Sequence, residues 1–395
     1  MLVTRIIGNC PGCGARASFG NVNVSGNILL RGCFKCKYSE EIYLPVLEKE
    51  ILYLDQFFLS HAFRAELPEF VDAARLIGEL AHAQLLVCPF SRTHETETHQ
   101  WRHPQQQRLW EFIKQTSRGQ KFEPEYELRH KQIFRGFERF LSSDKSAFLV
   151  DIGDALHSEL NTWDEYFWID VPRTPDNVEQ KRKLKKQSVD NLVNLFGDWR
   201  KSTTTFEEDR RIEYLAAAKS YLQCYMEMVN RLARGDFMAT IDSPIETLVV
   251  EGLMLVDSDT LDKPHRLKRI IDYFESPYFE EVPSEWISSG LFAVLKDRVK
   301  RGQYQNSHKA KDRLSGFFYD VEFISAYAPY CQVMFVDNAM LDFVNDKLLD
   351  LSSRLGTKFF ARSNWSEFLT YLESLGAKMT PELQNALDLV YPRSE

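Results

Sequence analysis

Two short apolar runs, nearly 300 residues apart in a chain of 395, each end on an aspartate. Near the start, ILYLD closes on Asp55; near the end, VMFVD closes on Asp337. Both read as buried strands of a parallel sheet, whose strands run almost continuously apolar because they are covered on two faces. In open α/β sheets the C-terminal edge of the strands is where sites gather. A helix-like stretch opens on Asp320, just ahead of the second run. Carboxylates brought to one edge repel one another, and the arrangement makes most sense around a divalent cation.

The length argues for two or three domains. Hydrophobic residues make up 44% and aromatic residues 13%, enough for a large core and against disorder. The net charge of −8 argues against a protein that coats nucleic acid generally, but not against an enzyme with a local basic groove. No apolar run reaches membrane-spanning length. MLVTRIIGNC lacks the basic start and long apolar core of a secretory signal. Seven cysteines, four of them in two tight pairs, fit a reduced cytoplasmic setting better than a disulfide framework.

Those pairs are Cys10-Pro-Gly-Cys13 and Cys33-Phe-Lys-Cys36. The segment between them alternates polar and apolar residues with glycines at turn positions, which predicts a short β-hairpin. Gly14 and Gly32 flank the knuckles, as a rubredoxin-like turn requires. Four thiolates fit tetrahedral zinc, so residues 1–45 are expected to form a zinc ribbon, with an iron centre or a redox pair as the alternative. A closed four-cysteine site leaves no open coordination position, and no catalysis is assigned to it. Ribbons of this kind dock nucleic acid or protein, and the sequence does not choose between them.

From residue 50 the pattern is α/β. Strands are expected at 51–55, 85–89, 332–336 and 357–361. Helices are expected over 56–83 with an interruption near Pro68, and over 91–117, 338–353 and 364–375, with another from Asp320. Between them, about 120–310 is charge-rich and mostly helical, with apolar residues at helical spacing over 124–142, 206–234, 263–275 and 284–301. The expected divisions are 1–45, 50–118, 119–310 and 311–395.

If the strands are adjacent and parallel, Asp55, Asp320, Asp337 and an acid after the second strand share one edge. That acid lies in PFSRTHETETH, as Glu97 or Glu95; Glu97 is favoured because Ser91, His94 and Glu97 fall close to one helix face. Three or four carboxylates there can hold one or two magnesium or manganese ions. Each acid also has a plainer reading: Asp320 and Asp55 as helix caps, Asp337-Asn338 as turn chemistry.

The strand-end Asp55 of YLDQ, the acid after the second strand, Asp320 in DVEFISAYAPYC and Asp337 in VMFVD together resemble the PIN-domain nucleases, specifically a PIN-like branch. The resemblance covers about 51–97 and 312–375. It implies a three-layer α/β/α fold with a central parallel sheet and metal-dependent cleavage of RNA, less often DNA. The long helical insertion departs from compact members of that family. Asp55, Glu97, Asp320 and Asp337 would then hold the metal. Large PIN-like proteins resemble bacterial toxins or antiphage effectors, which implies a regulatory partner or activator.

Other residues carry weaker signals. His94 could touch a substrate phosphate or hydrogen-bond within the fold. His94, His99 and His103 lack zincin spacing. Lys309, Lys311 and Arg313 precede the Asp320 block and are candidate phosphate contacts; the run Lys181–Lys186 is either a phosphate patch or a solvated helix face. Asp257, Asp259 and Asp262 lack EF-hand spacing and read as turn and capping residues. Cys88, Cys224 and Cys331 read as core, and the aromatics of YFWID and NLFGDW as packing. The alternative to an enzyme is a zinc-ribbon scaffold that binds without cutting, or a DNA nuclease using the same acids.

Overall fold

Burial on both faces selects the central strands. Glu50–Leu54 pairs in parallel with Leu86–Val87 on one side and Val333–Phe335 on the other, and Val333–Phe335 pairs with Lys358–Phe360. The computed structural model describes residues 2–101, 104–163, 178–257 and 262–391. His103, Asp259, VPRTP and YFWID lie outside the described residues, as do most side chains of the run Lys181–Lys186.

Numbered in chain order, the strands are β1 (Arg5–Gly8), β2 (Phe19–Ser25), β3 (Ile28–Cys33), β4 (Ser39–Tyr43), β5 (Glu50–Leu54), β6 (Leu86–Val87), β7 (Val333–Phe335) and β8 (Lys358–Phe360). The first four form an antiparallel sheet in that order, and the last four a parallel sheet in the order β6-β5-β7-β8. The fold is therefore mixed α/β, with many helices and a four-cysteine unit in the N-terminal part.

Alternation sorts the parallel sheet into two faces. Ile51, Tyr53, Val87, Met334 and Phe359 enter one core, which the helices Pro283–Lys300 and Phe317–Tyr327 complete. Leu52, Leu54, Leu86, Val333, Phe335 and Phe360 enter the other, covered by the helices Gln56–Arg64, Pro68–His82, Gln105–Ser117 and Trp365–Gly376. Each fully buried aliphatic or aromatic side chain contributes roughly 1.5–3 kcal/mol. Helix Pro283–Lys300 lies within the span expected to be an insertion, so the boundary expected at 310 does not separate the sheet's core from that segment. A third core, with Ile133, Phe137, Tyr221, Leu253 and Phe274, joins the helices Glu125–Ser142, Phe206–Ala233, Thr247–Val256 and Lys263–Phe274.

Several helix boundaries differ from expectation. The helix expected over 91–117 is two, Arg92–Thr98 and Gln105–Ser117, the second entered at Pro104, whose ring cannot sit inside a helix. The helix expected over 338–353 is Asn338–Val344 and Leu351–Leu355, divided before Asp350, which has a left-handed φ of 45°. The helix expected from Asp320 begins at Phe317, so Asp320 lies inside its first turn and is not its cap.

The N-terminal sheet extends the expected hairpin. β2 and β3 turn at Gly26, whose φ of 56° suits glycine, and β1 and β4 flank them. Gly20 is needed for another reason: a Cβ there would lie 1.9 Å from the Arg5 carbonyl oxygen. The unit docks on an unforeseen helix, Pro381–Val390, through Leu29, Leu44, Leu47, Trp163, Ala386, Leu387 and Val390. Asn21 donates to the Leu389 and Val390 carbonyls at 3.0 and 3.2 Å, and Arg31 donates to Leu389 at 3.2 Å. Among the described residues, no helix is long and apolar enough to cross a membrane.

Candidate functional site

From β5 the chain moves outward to β6 on one side and later to β7 on the other. The crevice between β5 and β7 is thus a topological switch point, the usual ligand position in open α/β sheets. Asp55 follows β5 directly, and its amide donates to the Phe335 carbonyl of β7 at 3.0 Å. Asp337 lies two residues beyond β7. Here a cavity of about 1480 Å³ opens, lined among others by Asp55, Glu97, Asp320 and Asp337.

The four carboxylates come from four places in the chain and sense one another. Burial, then Asp320, Glu97 and Asp337 in turn, raises the Asp55 pKa well above the ordinary carboxylate value. Asp320 sits in the first turn of helix Phe317–Tyr327, where the helix dipole favours a carboxylate. A Cβ at Gly316 would stand 3.1 Å from Asp320 Oδ2, so glycine keeps space beside that oxygen. Asp337 also serves its plainer role: its Oδ1 accepts from the Met340 amide at 2.7 Å, capping Asn338–Val344.

Glu97 and Glu95 are two residues apart and have different surroundings. Glu97 lines the cavity. Glu95 accepts from Lys121 Nζ at 2.7 Å in a buried ion pair and lies outside the lining. Breaking such a pair costs about 3–5 kcal/mol, because one charge stays buried alone.

His94 does not reach the cavity, which corrects its reading as a phosphate contact. It is 1% exposed. The Ser91 amide donates to Nδ1 at 2.9 Å, so the proton resides on Nε2, which donates to the Leu54 carbonyl at 2.8 Å. Burial lowers its pKa to about 4, opposed by the Leu54 bond. His94 therefore ties helix Arg92–Thr98 to the residue before Asp55. Beside it, Tyr53 stacks on His94, Phe323 and Tyr327 at 5.2–5.4 Å, and its hydroxyl meets Ser91 Oγ at 3.0 Å. This aromatic layer fixes β5, helix Arg92–Thr98 and helix Phe317–Tyr327, which carry three of the four acids. The hydrophobic pattern marked Tyr53 as core; nothing in the sequence marked its stacking partners.

Four arginines, Arg64, Arg108, Arg298 and Arg313, also line the cavity. Arg64 lies 4.5 Å over the Trp101 ring, and Arg298 lies 4.1 Å over Phe343 and 3.1 Å from Asp346. Of the three basic residues expected near the site, only Arg313 lines the cavity. Lys311 pairs with Asp190 at 2.6 Å, and Lys309, on the same seven-residue helix Ser307–Arg313, is exposed outside the lining. Gln56 was missed. It is 4% exposed, lines the cavity, donates through Nε2 to Thr98 at 3.3 Å, and its Oε1 has no hydrogen-bond partner.

The cysteine cluster is tighter. Its ligand atoms all lie within 4.8 Å of one another, with Cys10–Cys36 sulfurs 3.7 Å and Cys13–Cys33 sulfurs 3.9 Å apart. Tetrahedral Zn–S bonds of about 2.3 Å place sulfurs at about this separation. Amides of Gly12, Cys13, Lys35 and Tyr38 donate to the Cys10, Cys33 and Cys36 sulfurs at 3.3–3.4 Å. The cluster can hold a metal such as zinc. Among the described residues, no three carboxylates or histidines converge as closely.

Elsewhere, Cys88 and Cys331 are buried while Cys224 is half-buried. Asp262 caps helix Lys263–Phe274, and Asp257 pairs with Arg269 at 2.7 Å. Phe196 of NLFGDW packs in the core. Compared with protein-family models, with curated proteins and with solved structures, the chain finds no match.

Proposed function

We propose that this chain is a metal-dependent PIN-like endonuclease acting on RNA, with residues 1–45 as a structural zinc ribbon. The observation that carries the reading is the cavity at the β5–β7 switch point, with Asp55, Glu97, Asp320 and Asp337 in it beside four arginines. Hard oxygen donors of this kind fit magnesium or manganese, and the Asp55 pKa, raised first by burial and then by the neighbouring carboxylates, fits a buried carboxylate that a cation would compensate. A divalent cation bound there would supply a nucleophile at neutral pH and stabilise charge on the phosphodiester.

The chain's own residues do the rest. The arginines bind flanking phosphates and hold the strand across the acids. The Gln56 amide offers a buried polar group to the substrate or its water. The Asp55 carboxyl holds its proton to higher pH than usual, so cation binding there releases a proton and strengthens as pH rises. The preference for RNA over DNA, and a role as toxin or antiphage effector under a regulatory partner, rest on the family resemblance.

A second reading, a scaffold that binds without cutting, is favoured by the wider spacing of the carboxylates relative to the thiolates. Cleavage of total RNA, tRNA and single- and double-stranded DNA with magnesium or manganese separates the two. Wild type is compared with Asp55→Asn and Asp320→Asn, each verified as folded. Metal-dependent cutting lost in both variants supports the nuclease. Binding of nucleic acid without cutting, with either metal, supports the scaffold.

A further inference from the structure

The chain's charge is divided unevenly. Of 49 basic residues five lie in residues 1–45, and of 57 acidic residues only two do, Glu40 and Glu41. The unit is therefore +3 while the remainder is −11. Four thiolates around one zinc would subtract two charges and still leave the unit at about +1. Arg31 is spent on docking, through Asn21 and the Leu389 carbonyl. Arg5, Arg16, Lys35 and Lys37 are exposed. Phe34 and Tyr38, in the same knuckle segment as Lys35 and Lys37, are 42% and 36% exposed, and Lys35 lies 5.2 Å over the Phe34 ring. Tyr38 covers the other knuckle, since a Cβ at Gly12 would meet its ring at 2.9 Å. Cations and aromatic faces thus lie near one cysteine cluster, on a unit that docks to helix Pro381–Val390 through other residues, Asn21, Leu29, Arg31 and Leu44.

The unit also lies far from the acids. It leads into the N-terminal end of β5, and its docking helix and Trp163 pack there too. The acids lie at the opposite, C-terminal edge. Five residues of strand separate the edges by about 17 Å, or about five base pairs of duplex. We infer that the knuckle segment of Phe34, Lys35, Lys37 and Tyr38, on a unit that also exposes Arg5 and Arg16, is a second nucleic-acid anchor, gripping phosphates and stacking bases on a part of the substrate remote from the acid cavity. Cationic side chains interleaved with aromatic faces suit an unpaired, flexible strand. The identity of the partner rests on the nuclease reading; the existence of the anchor does not.

The test measures binding without cleavage, in calcium-free, magnesium-free buffer, over a series of salt concentrations. Wild type is compared with a Lys35→Glu/Lys37→Glu variant and with the milder Lys35→Gln/Lys37→Gln, both checked for zinc content and melting temperature. The ligand is tRNA. The expected result is at least a tenfold loss of tRNA affinity for the charge reversal and a salt slope shallower by about 1 to 2, at about 0.7 for each phosphate that is no longer neutralised. Unchanged tRNA affinity overturns the anchor. So does retained tRNA binding alongside lost capture of an acidic protein, which would assign the face to a protein partner. Knuckle-dependent binding by a chain that never cuts leaves the anchor standing and removes the nuclease; cutting with knuckle-independent binding does the reverse.

Discussion

The four cysteines and the four acids are both quartets of side chains chemically able to hold a cation, and they are assembled in opposite ways. The cysteines span 27 residues and converge within 4.8 Å on two turns of one small sheet, each sulfur placed by its own knuckle. The acids span nearly 300 residues and come from separate elements of a parallel sheet and its helices. They share a cavity without closing on one point. A closed site of soft ligands suits a structural metal, whereas an open set of hard ligands leaves room for substrate. The difference also sets what holds each together. Backbone amides donating to sulfur organise the cysteines. The acids depend on packing at a distance, through the Tyr53 stack and the His94 bridge to Leu54.

The sharpest way to break the comparison is to withhold the cation proposed for each quartet. Structural zinc in small units contributes roughly 10–16 kcal/mol to folding. A strong chelator, or Cys33→Ala, is expected to unfold residues 2–43 and leave β5–β8 intact, as read by amide hydrogen exchange. Adding magnesium to the zinc-loaded protein is expected to add only about 2–3 kcal/mol at a hundredfold excess over Kd. Equal effects on both regions would remove the distinction.

Glu95 and Glu97 test it within one helix. Lys121→Met leaves Glu95 buried without its ion-pair partner and is expected to cost about 3–5 kcal/mol in denaturant unfolding. Glu97→Gln is expected to leave stability within about 0.5 kcal/mol and to lower cleavage by about 10²–10³-fold. If Glu97→Gln destabilises and leaves cleavage intact, the two glutamates have been given each other's roles.

His94 gives the acid region a pH dependence of its own. Its folded pKa is depressed from 6.5 to about 4 by burial, so the unfolded chain binds the extra proton first. Its contribution is present above pH 6.5 and is lost as pH falls toward about 4, on the order of 3 kcal/mol in full. His94→Gln should flatten stability between those pH values. Asp55 has the opposite sign: its raised pKa contributes stability below about 3.8 that is lost as pH rises, so Asp55→Asn should be the more stable protein at pH 7 without divalent cation.

The smallest effect concerns how the quartets are joined. Asn21→Ala removes two hydrogen bonds to helix Pro381–Val390 and is expected to cost about 1–2 kcal/mol, with zinc content and cleavage of short substrates unchanged. Hydrogen exchange in 381–390 should rise while that in β5 does not.

Both quartets were legible as residues, and to different depths. Cys10, Cys13, Cys33 and Cys36 were legible as a site, because a knuckle is local and its spacing nearly dictates its geometry. The four buried strands were legible too, since short apolar runs ending in charge have few other places to go. Asp55 and Asp337 could be placed at strand ends, but whether they met depended on β5 and β7 pairing across nearly 300 residues, which no local pattern encodes.

Tertiary structure alone decided which neighbours were spent. Lys121 takes Glu95, Asp190 takes Lys311, and the Leu54 carbonyl takes His94, each choice made by a partner remote in sequence. It also drew helix Pro283–Lys300 into the sheet's core and brought Arg298 to the cavity. The sequence by itself determined which residues were chemically able to act and which elements would carry them, because propensity and period are local properties. Which of those residues face a common space was left to long-range packing, where a side chain's partner is chosen by the whole fold.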